Sequence, residues 1–207
     1  MRTTIKDLIQ FYANSKKIFP NFNSPVRFRV KKPNLTNRLD AILAPEKFEA
    51  QDLDLLITER AIEYPFVFRE IQKRSDLKIV DFGCSDSMLS YQLASCGFSV
   101  TGIDFRGYEL SHRNFTFIQG NLFHIELPTD KFNAVIAVSA LEHIGLAAYG
   151  EQAEPGQTDK RAVEIFTQML LPEGQLILTV PAGKRDENRF FRIYDDEMIE
   201  NLLSRLV

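Results

Sequence analysis

The stretch that decides the fold is LKIVDFGCSDSMLSYQLASCGFSVTGID, residues 77–104. It begins with a short β-branched run, KIVDF (78–82), turns at Gly83, passes through a helical stretch at 87–96 and closes on a second run, FSVTGID (98–104). Strand, tight turn, helix and strand in this compass make a parallel crossover unit. Ligands of open parallel sheets bind beyond the carboxyl ends of the strands. The turn at Gly83 and the acid that ends the second run, Asp104, are therefore the first site candidates. The turn is poor in glycine: Ser85 and Ser87 stand where a nucleotide-cradling loop carries further glycines.

Downstream, NFTFI (114–118), NAVIAVS (133–139) and GQLILTV (174–180) read as further strands, with helical stretches at 160–171 and 194–204. The connection from Asp104 to Asn114 leaves room for barely two helical turns. Strands alternating with helices predict an α/β domain, a Rossmann-like doubly wound and mostly parallel sheet, over residues 51–207. Residues 1–50 read as a basic N-terminal arm. Within the arm, TIKDLIQFYA (4–13) has helical spacing and VRFRV (26–30) alternates as a strand does. From 51 to 74 the pattern predicts two helices, one through about Glu63 and the other starting near Pro65.

Charge is uneven: residues 1–45 carry a net +7 and the rest −10, against −3 overall. A basic arm on an acidic body can touch phosphate or simply balance that body, and the overall acidity argues against a dedicated nucleic-acid binder. Two cysteines, Cys84 and Cys96, build no disulfide framework, and no Cys/His spacing points to a metal. No apolar run is long enough to span a membrane and the N-terminus has no signal-peptide core, so a cytoplasmic protein is expected.

Asp104 lies about 20 residues beyond Gly83, the separation at which a carboxylate accepts the hydroxyls of a nucleoside ribose. A dinucleotide fingerprint would require small residues at Gly83, Ser85 and Met88; methionine at the last position and serine at the second disfavour a pyrophosphate and hence a nicotinamide oxidoreductase. Residues 77–182 resemble the class I S-adenosylmethionine-dependent methyltransferases. VDFGCSDS matches the frame of their first motif at Asp81 and Gly83, and GID supplies the acid at Asp104. QGNLFHIELPTDKFNAV is similar to their third segment, with Asn121 and Asn133 in place of two acids. SALEHIG and LLPEGQLILTVPAG follow in the family's order. EHIGLAAYG is most similar to glycine-poor, uncharacterised members placed in surface-polysaccharide biosynthesis.

The resemblance implies S-adenosylmethionine as cofactor, held by Asp81, Gly83, Cys84, Ser85, Ser87, Asp104, Phe105, Asn121, Leu122 and Ser139. It places Glu142 and His143 at the rim where a methyl group is delivered, with His143 a candidate general base. Segment 144–159 is long for a connection and reads as a loop over the acceptor, offering Tyr149 and Glu151. Beyond the fifth strand, Lys184, Arg185, Arg189 and Arg192 are cations suited to a phosphorylated or carboxylated acceptor. The chain lacks the Pro-Pro-Tyr segments of amino-directed enzymes and a Pro-Cys nucleophile, leaving O-methyl transfer to a glycan or other small molecule as the expectation. A non-catalytic binding module on the same fold stays open, as does an RNA-directed enzyme resting on the basic arm. The family's C-terminal strand 6/7 hairpin has no counterpart in the residues up to ENLLSRLV, so either the chain is a fragment or the sheet ends at its fifth strand, whose open edge is then expected to be covered by VRFRV or by a second subunit in a homodimer.

Overall fold

The computed structural model describes residues 26–30, 53–57, 59–71 and 76–204. The chain divides into two compact units, Lys6–Glu63 and Tyr64–Val207 with Met1–Ile5. The helix expected at 4–13 and the boundary expected at 50/51 lie outside the described residues.

In the first unit, β1 (Val26–Val30) pairs antiparallel with β2 (Leu53–Ile57), Val26 opposite Ile57 and Val30 opposite Leu53. The strand at 26–30 is as expected, and it bonds β2. β2 corrects the helix expected from residue 51. LDLLI fits either period, and a strand partner distant in sequence decides between them.

A single helix, α1 (Arg60–Glu70), then runs through Pro65, where two helices were expected. The proline forfeits one bond, to the carbonyl of Ala61, at a cost of about 3 kcal/mol. Phe66, Val67 and Ile71 are buried along this segment, each contributing roughly 1.5–3 kcal/mol. Their burial outweighs the lost bond.

The second unit is built on β3 (Lys78–Phe82), α2 (Leu89–Ser95), β4 (Ser99–Asp104), β5 (Phe115–Gln119), β6 (Phe132–Val138), α3 (Thr158–Met169) and β7 (Leu170–Thr179). The five strands form one parallel sheet in the order β5-β4-β3-β6-β7. β3 and β6 are central and almost wholly buried, which is why IVDF and AVIAV read as continuous apolar runs instead of alternating ones. On one face, Val80, Phe82, Ile103, Val135 and Ala137 meet Ala162, Val163, Phe166 and Met169 of α3. Those four recur at helical spacing and form the stripe that glues α3 to the sheet. The residues of β3 that alternate with these, Ile79 and Asp81, face the other way; Asp81 takes a hydrogen bond from Ser90 of α2, which buries Leu89, Leu93 and Ala94.

α4 (Asp196–Leu203) is capped by Asp195, whose carboxylate accepts from Met198 N, and it adds Leu202 to the α3 face. β7 leaves α3 directly: Phe132 faces Leu170, then Ala134 faces Gln175, the residues between looping out with Glu173 at φ +64°. No helix forms between β4 and β5. Instead Tyr108 lays its ring 5.0 Å from Phe115 and 5.9 Å from Phe117 and donates its hydroxyl to Ser87 O. After β7 a separate antiparallel ladder joins β8 (Asp186–Glu187) to β9 (Arg192–Ile193).

Candidate active site

Strand order reverses between β3 and β6, and the loops leaving those two strands touch. Gly83 adopts φ +77°, and a Cβ there would lie 2.5 Å from Ala140 Cβ, well inside van der Waals contact. Only glycine satisfies both the left-handed backbone and that approach. The turn is tied down by Gly83 N donating to Ile103 O of β4, 2.8 Å. Ala140 is reached because Ser139 turns the chain at φ +44°, its N–H donating to Thr179 Oγ1 and O of β7.

Asp104, at the end of β4, is nearly buried, and its carboxylate points into the same loop. Oδ2 accepts from Ser85 N at 3.0 Å, and Oδ1 accepts from Arg106 N at 2.9 Å. The guanidinium of Arg106 lies over the acid, Nε 3.5 Å from Oδ1, while Nη1 pairs with Asp86 at 2.5 Å. Burial opposes the charge of Arg106, but Asp86 and Asp104 outweigh it and hold its pKa above the ordinary value. Its guanidinium also stacks on the Tyr149 ring at 4.3 Å. An open cleft of about 480 Å³ runs between Ser85–Met88 and Arg106–Leu110.

The other expected cofactor residues divide by what they already hold. Ser85 Oγ is buried with no hydrogen-bond partner among the described residues. Ser87 Oγ accepts from Leu89 N at the start of α2 and bonds Tyr64 OH, so it serves the loop itself. Burial, with Asp81 and Asp104 nearby, pushes the Cys84 thiol far above its usual range and leaves it an inert packing group. Asp81 is likewise internal, accepting from Ser90 at 2.6 Å. Phe105 follows the acid and is half-buried, Leu122 is buried, and Asn121 Oδ1 accepts from Phe123 N in a local turn beside it.

Past Ala140, a single 3₁₀ turn, Leu141–His143, brings Glu142 and His143 to the rim. His143 Nδ1 donates to Phe190 O at 2.5 Å, since a carbonyl only accepts. In the neutral ring that proton assignment makes Nε2 the basic nitrogen, 3.9 Å from the Glu142 carboxylate. The ring meets Tyr149 edge-on at 5.2 Å. Tyr149 thus touches His143 on one side and Arg106 on the other, and Glu151 steadies it by accepting its backbone N–H.

Segment 144–157 is pinned from beneath. Gly145, at φ +79°, packs so closely on Thr158 that a Cβ would lie 2.5 Å from its methyl. The guanidinium of Arg192 is buried there, bonding Ile144 O, Thr158 Oγ1 and Glu187. It was expected to hold the acceptor; the structure commits it to the scaffold, while Lys184 and Arg185 stay exposed. Glu154 adds a second tie, N to Gly145 O and Oε1 to His124 Nε2.

Arg106, Asp86 and Ala140 were not foreseen. An arginine two residues past Asp104 was the one local signal. Among the described residues no cluster of His, Cys, Asp and Glu is arranged to hold a metal, and no helix is long and apolar enough to cross a membrane.

A family model described as a methyltransferase domain matches residues 80–178, the span from β3 to β7. A ubiquinone biosynthesis O-methyltransferase from Colwellia psychrerythraea is 29% identical over 138 residues, 56% of each chain. The chain spans little more than half the length of the curated relatives it matches. Among solved structures, an S-adenosylmethionine-dependent methyltransferase from Methanosarcina mazei aligns with a TM-score of 0.53 at 19% identity, over 69% of this chain and 83% of that one. A Haemonchus contortus phosphoethanolamine N-methyltransferase in complex with S-adenosylmethionine aligns with a TM-score of 0.57 at 16% identity, over 70% of this chain and 36% of that one.

Proposed function

We propose that this chain, whose residues 80–178 match a methyltransferase domain, is a class I S-adenosylmethionine-dependent methyltransferase that methylates a hydroxyl oxygen of a small-molecule acceptor, a sugar or another hydroxylated compound. The observation that carries this reading is the meeting of three strand ends: Gly83 against Ala140, Asp104 turned into the Gly83 loop, and His143 at the rim of β6. The oxygen as acceptor atom draws support from the relatives' printed name, O-methyltransferase.

The residues present fit the cofactor. Among the described residues Ser85 Oγ is a buried hydroxyl still short of a partner, and Asp104 is an acid of the kind that accepts a ribose diol. When bound, S-adenosylmethionine supplies an electrophilic methyl group on a sulfonium. Asp104 would hold the ribose, Ser85 the amino-acid carboxylate, and Phe105, Asn121 and Leu122 the adenine, with Ser139 and Ala140 walling the approach. His143 takes the acceptor hydroxyl's proton on Nε2, and Glu142 stabilises the resulting imidazolium. Placement and exclusion of water supply the rest. Lys184 and Arg185 suit an anionic acceptor, with Tyr149 and Glu151 beside it.

A second reading, a module that binds without turnover, draws on the guanidinium covering Asp104 and on Ser87's commitment to the loop. Release of S-adenosylhomocysteine, followed across a panel of hydroxylated acceptors, sugars first, separates the two. Turnover that disappears in Asp104→Ala supports the enzyme; cofactor binding with no turnover of any acceptor favours the module.

A further inference from the structure

We infer that Arg106 gates the ribose site: its guanidinium must leave the Asp104 carboxylate before a ribose diol can be held there, and its departure repositions the Tyr149 ring beside His143. The inference rests on the reading of Asp104 as the ribose acceptor given above. A carboxylate offers about four lone-pair directions, two on each oxygen. Oδ1 already faces Arg106 N at 2.9 Å and Arg106 Nε at 3.5 Å, and Oδ2 accepts from Ser85 N. At 3.5 Å Nε makes no hydrogen bond, so one direction remains on each oxygen; a ribose presents two hydroxyls, and the guanidinium crowds the direction left on Oδ1. The backbone bonds belong to the loop itself, so the guanidinium is the partner that yields.

The surroundings agree with a movable group. Asp104 is 6% exposed at its side chain and does not line the cleft of about 480 Å³, whereas Arg106 does. The guanidinium therefore stands between the cleft and the acid. It also has somewhere to go: Asp86, its other partner, is 72% exposed at its side chain, so the cation keeps a counter-ion as it moves outward. Tyr149 must follow or lose the stacked cation, and Tyr149 is the ring that meets His143 edge-on. Arg106 is thus a positioning residue acting on both sides of the reaction. Cofactor and acceptor affinities are coupled through it, and by linkage the coupling is the same in either direction.

The chain contains no tryptophan, so Tyr149→Trp places a single indole on the guanidinium, a stronger cation–π partner than tyrosine. Titration of S-adenosylhomocysteine into this protein, read by indole emission and by calorimetry, is compared with Tyr149→Trp/Arg106→Met and with Arg106→Met alone. Methionine keeps the length of the side chain and removes its charge and donors. The gate predicts that Arg106→Met binds about five- to tenfold more tightly, at the lower end of ordinary coupling energies. It also predicts an emission change on binding that vanishes with Arg106→Met and partly survives in Arg106→Lys, which keeps the charge without the planar fork.

Binding weakened tenfold in an Arg106→Met protein that melts as the unsubstituted chain does would overturn the gate alone, as would an unaltered emission change. Should Arg106→Met melt early, the Arg106→Lys titration decides: equal or weaker binding overturns the gate, tighter binding supports it. Binding that survives Asp104→Ala, or no binding by any of these proteins, removes the ribose reading and the gate together.

Discussion

At Gly83 the backbone and the missing side chain make separate demands, and substitution can price them separately. Gly83→Ala must hold φ +77° against a Cβ 2.5 Å from Ala140. The left-handed backbone costs about 1–2 kcal/mol and the overlap about 1–3 kcal/mol. In Gly83→Ala/Ala140→Gly the second contribution is relieved and the first remains, so urea melts of the four proteins should show non-additivity of roughly the overlap cost. Ser85 behaves in the opposite sense. Its hydroxyl has no partner among the described residues, so Ser85→Ala leaves the melting temperature unchanged or raised, because an unsatisfied buried group is removed. In calorimetry the same variant should bind S-adenosylhomocysteine about fivefold more weakly, the worth of one net hydrogen bond of ~1 kcal/mol. His143→Ala should lower kcat by about 10²–10⁴ with little change in cofactor affinity, the range for a positioned general base. Unchanged turnover at saturating acceptor would remove it from that role.

Two connecting segments each depend in part on one polar side chain. Arg192→Met removes two charge-assisted bonds, to Ile144 O and Thr158 Oγ1, worth about 1.5–3 kcal/mol each, and leaves only the bond from Thr158 Oγ1 to Ile144 O. The expected result is a lower melting temperature and faster hydrogen exchange in 144–157, with the β3 and β6 amides still protected. The β4–β5 connection depends on Tyr108, whose phenol is raised to about 12 chiefly by burial, then by Cys84 and Asp81. A raised folded value means the folded chain keeps the proton more tightly than the unfolded chain, which loses it near pH 10. That contribution to stability is whole below about pH 10 and is lost as pH climbs toward 12. Melting temperature against pH should fall across that window, and less steeply in Tyr108→Phe. The elements were largely legible in the residues: the five strands of the sheet stand within a few residues of their expected positions, because each carries a short apolar run rich in β-branched, leucine or aromatic residues. β2 was not, since LDLLI carries no period of its own and takes its form from Val26–Val30.

For the whole molecule, ligand and stability are linked. At a hundred times its dissociation constant S-adenosylhomocysteine stabilises the fold by about 2.7 kcal/mol, which for a chain of this size raises Tm by roughly 5–11 °C. The rise should be absent in Asp104→Ala, and a scan of Tm against ligand concentration checks it. The acid and the glycine of the site could be read from the chain because they close adjacent strands of one crossover unit. What could not be read is what the sheet order adds. Ala140 meets Gly83 only because β6 lies beside β3. Arg106 reaches Asp86 and Tyr149 from three separate loops, and Arg192 looked like a substrate cation until the buried carbonyl of Ile144 claimed it. Charge type is visible in a sequence; the partner a charge chooses is not.

The contact between Gly83 and Ala140 also bears on how such chains can diverge. A motif search scores the glycine and is blind to the alanine, yet a valine or leucine at 140 would press on the loop as surely as a side chain at 83. The two positions form one heritable unit. A lineage could lose its cofactor through drift at 140 while every residue of its signature stood intact.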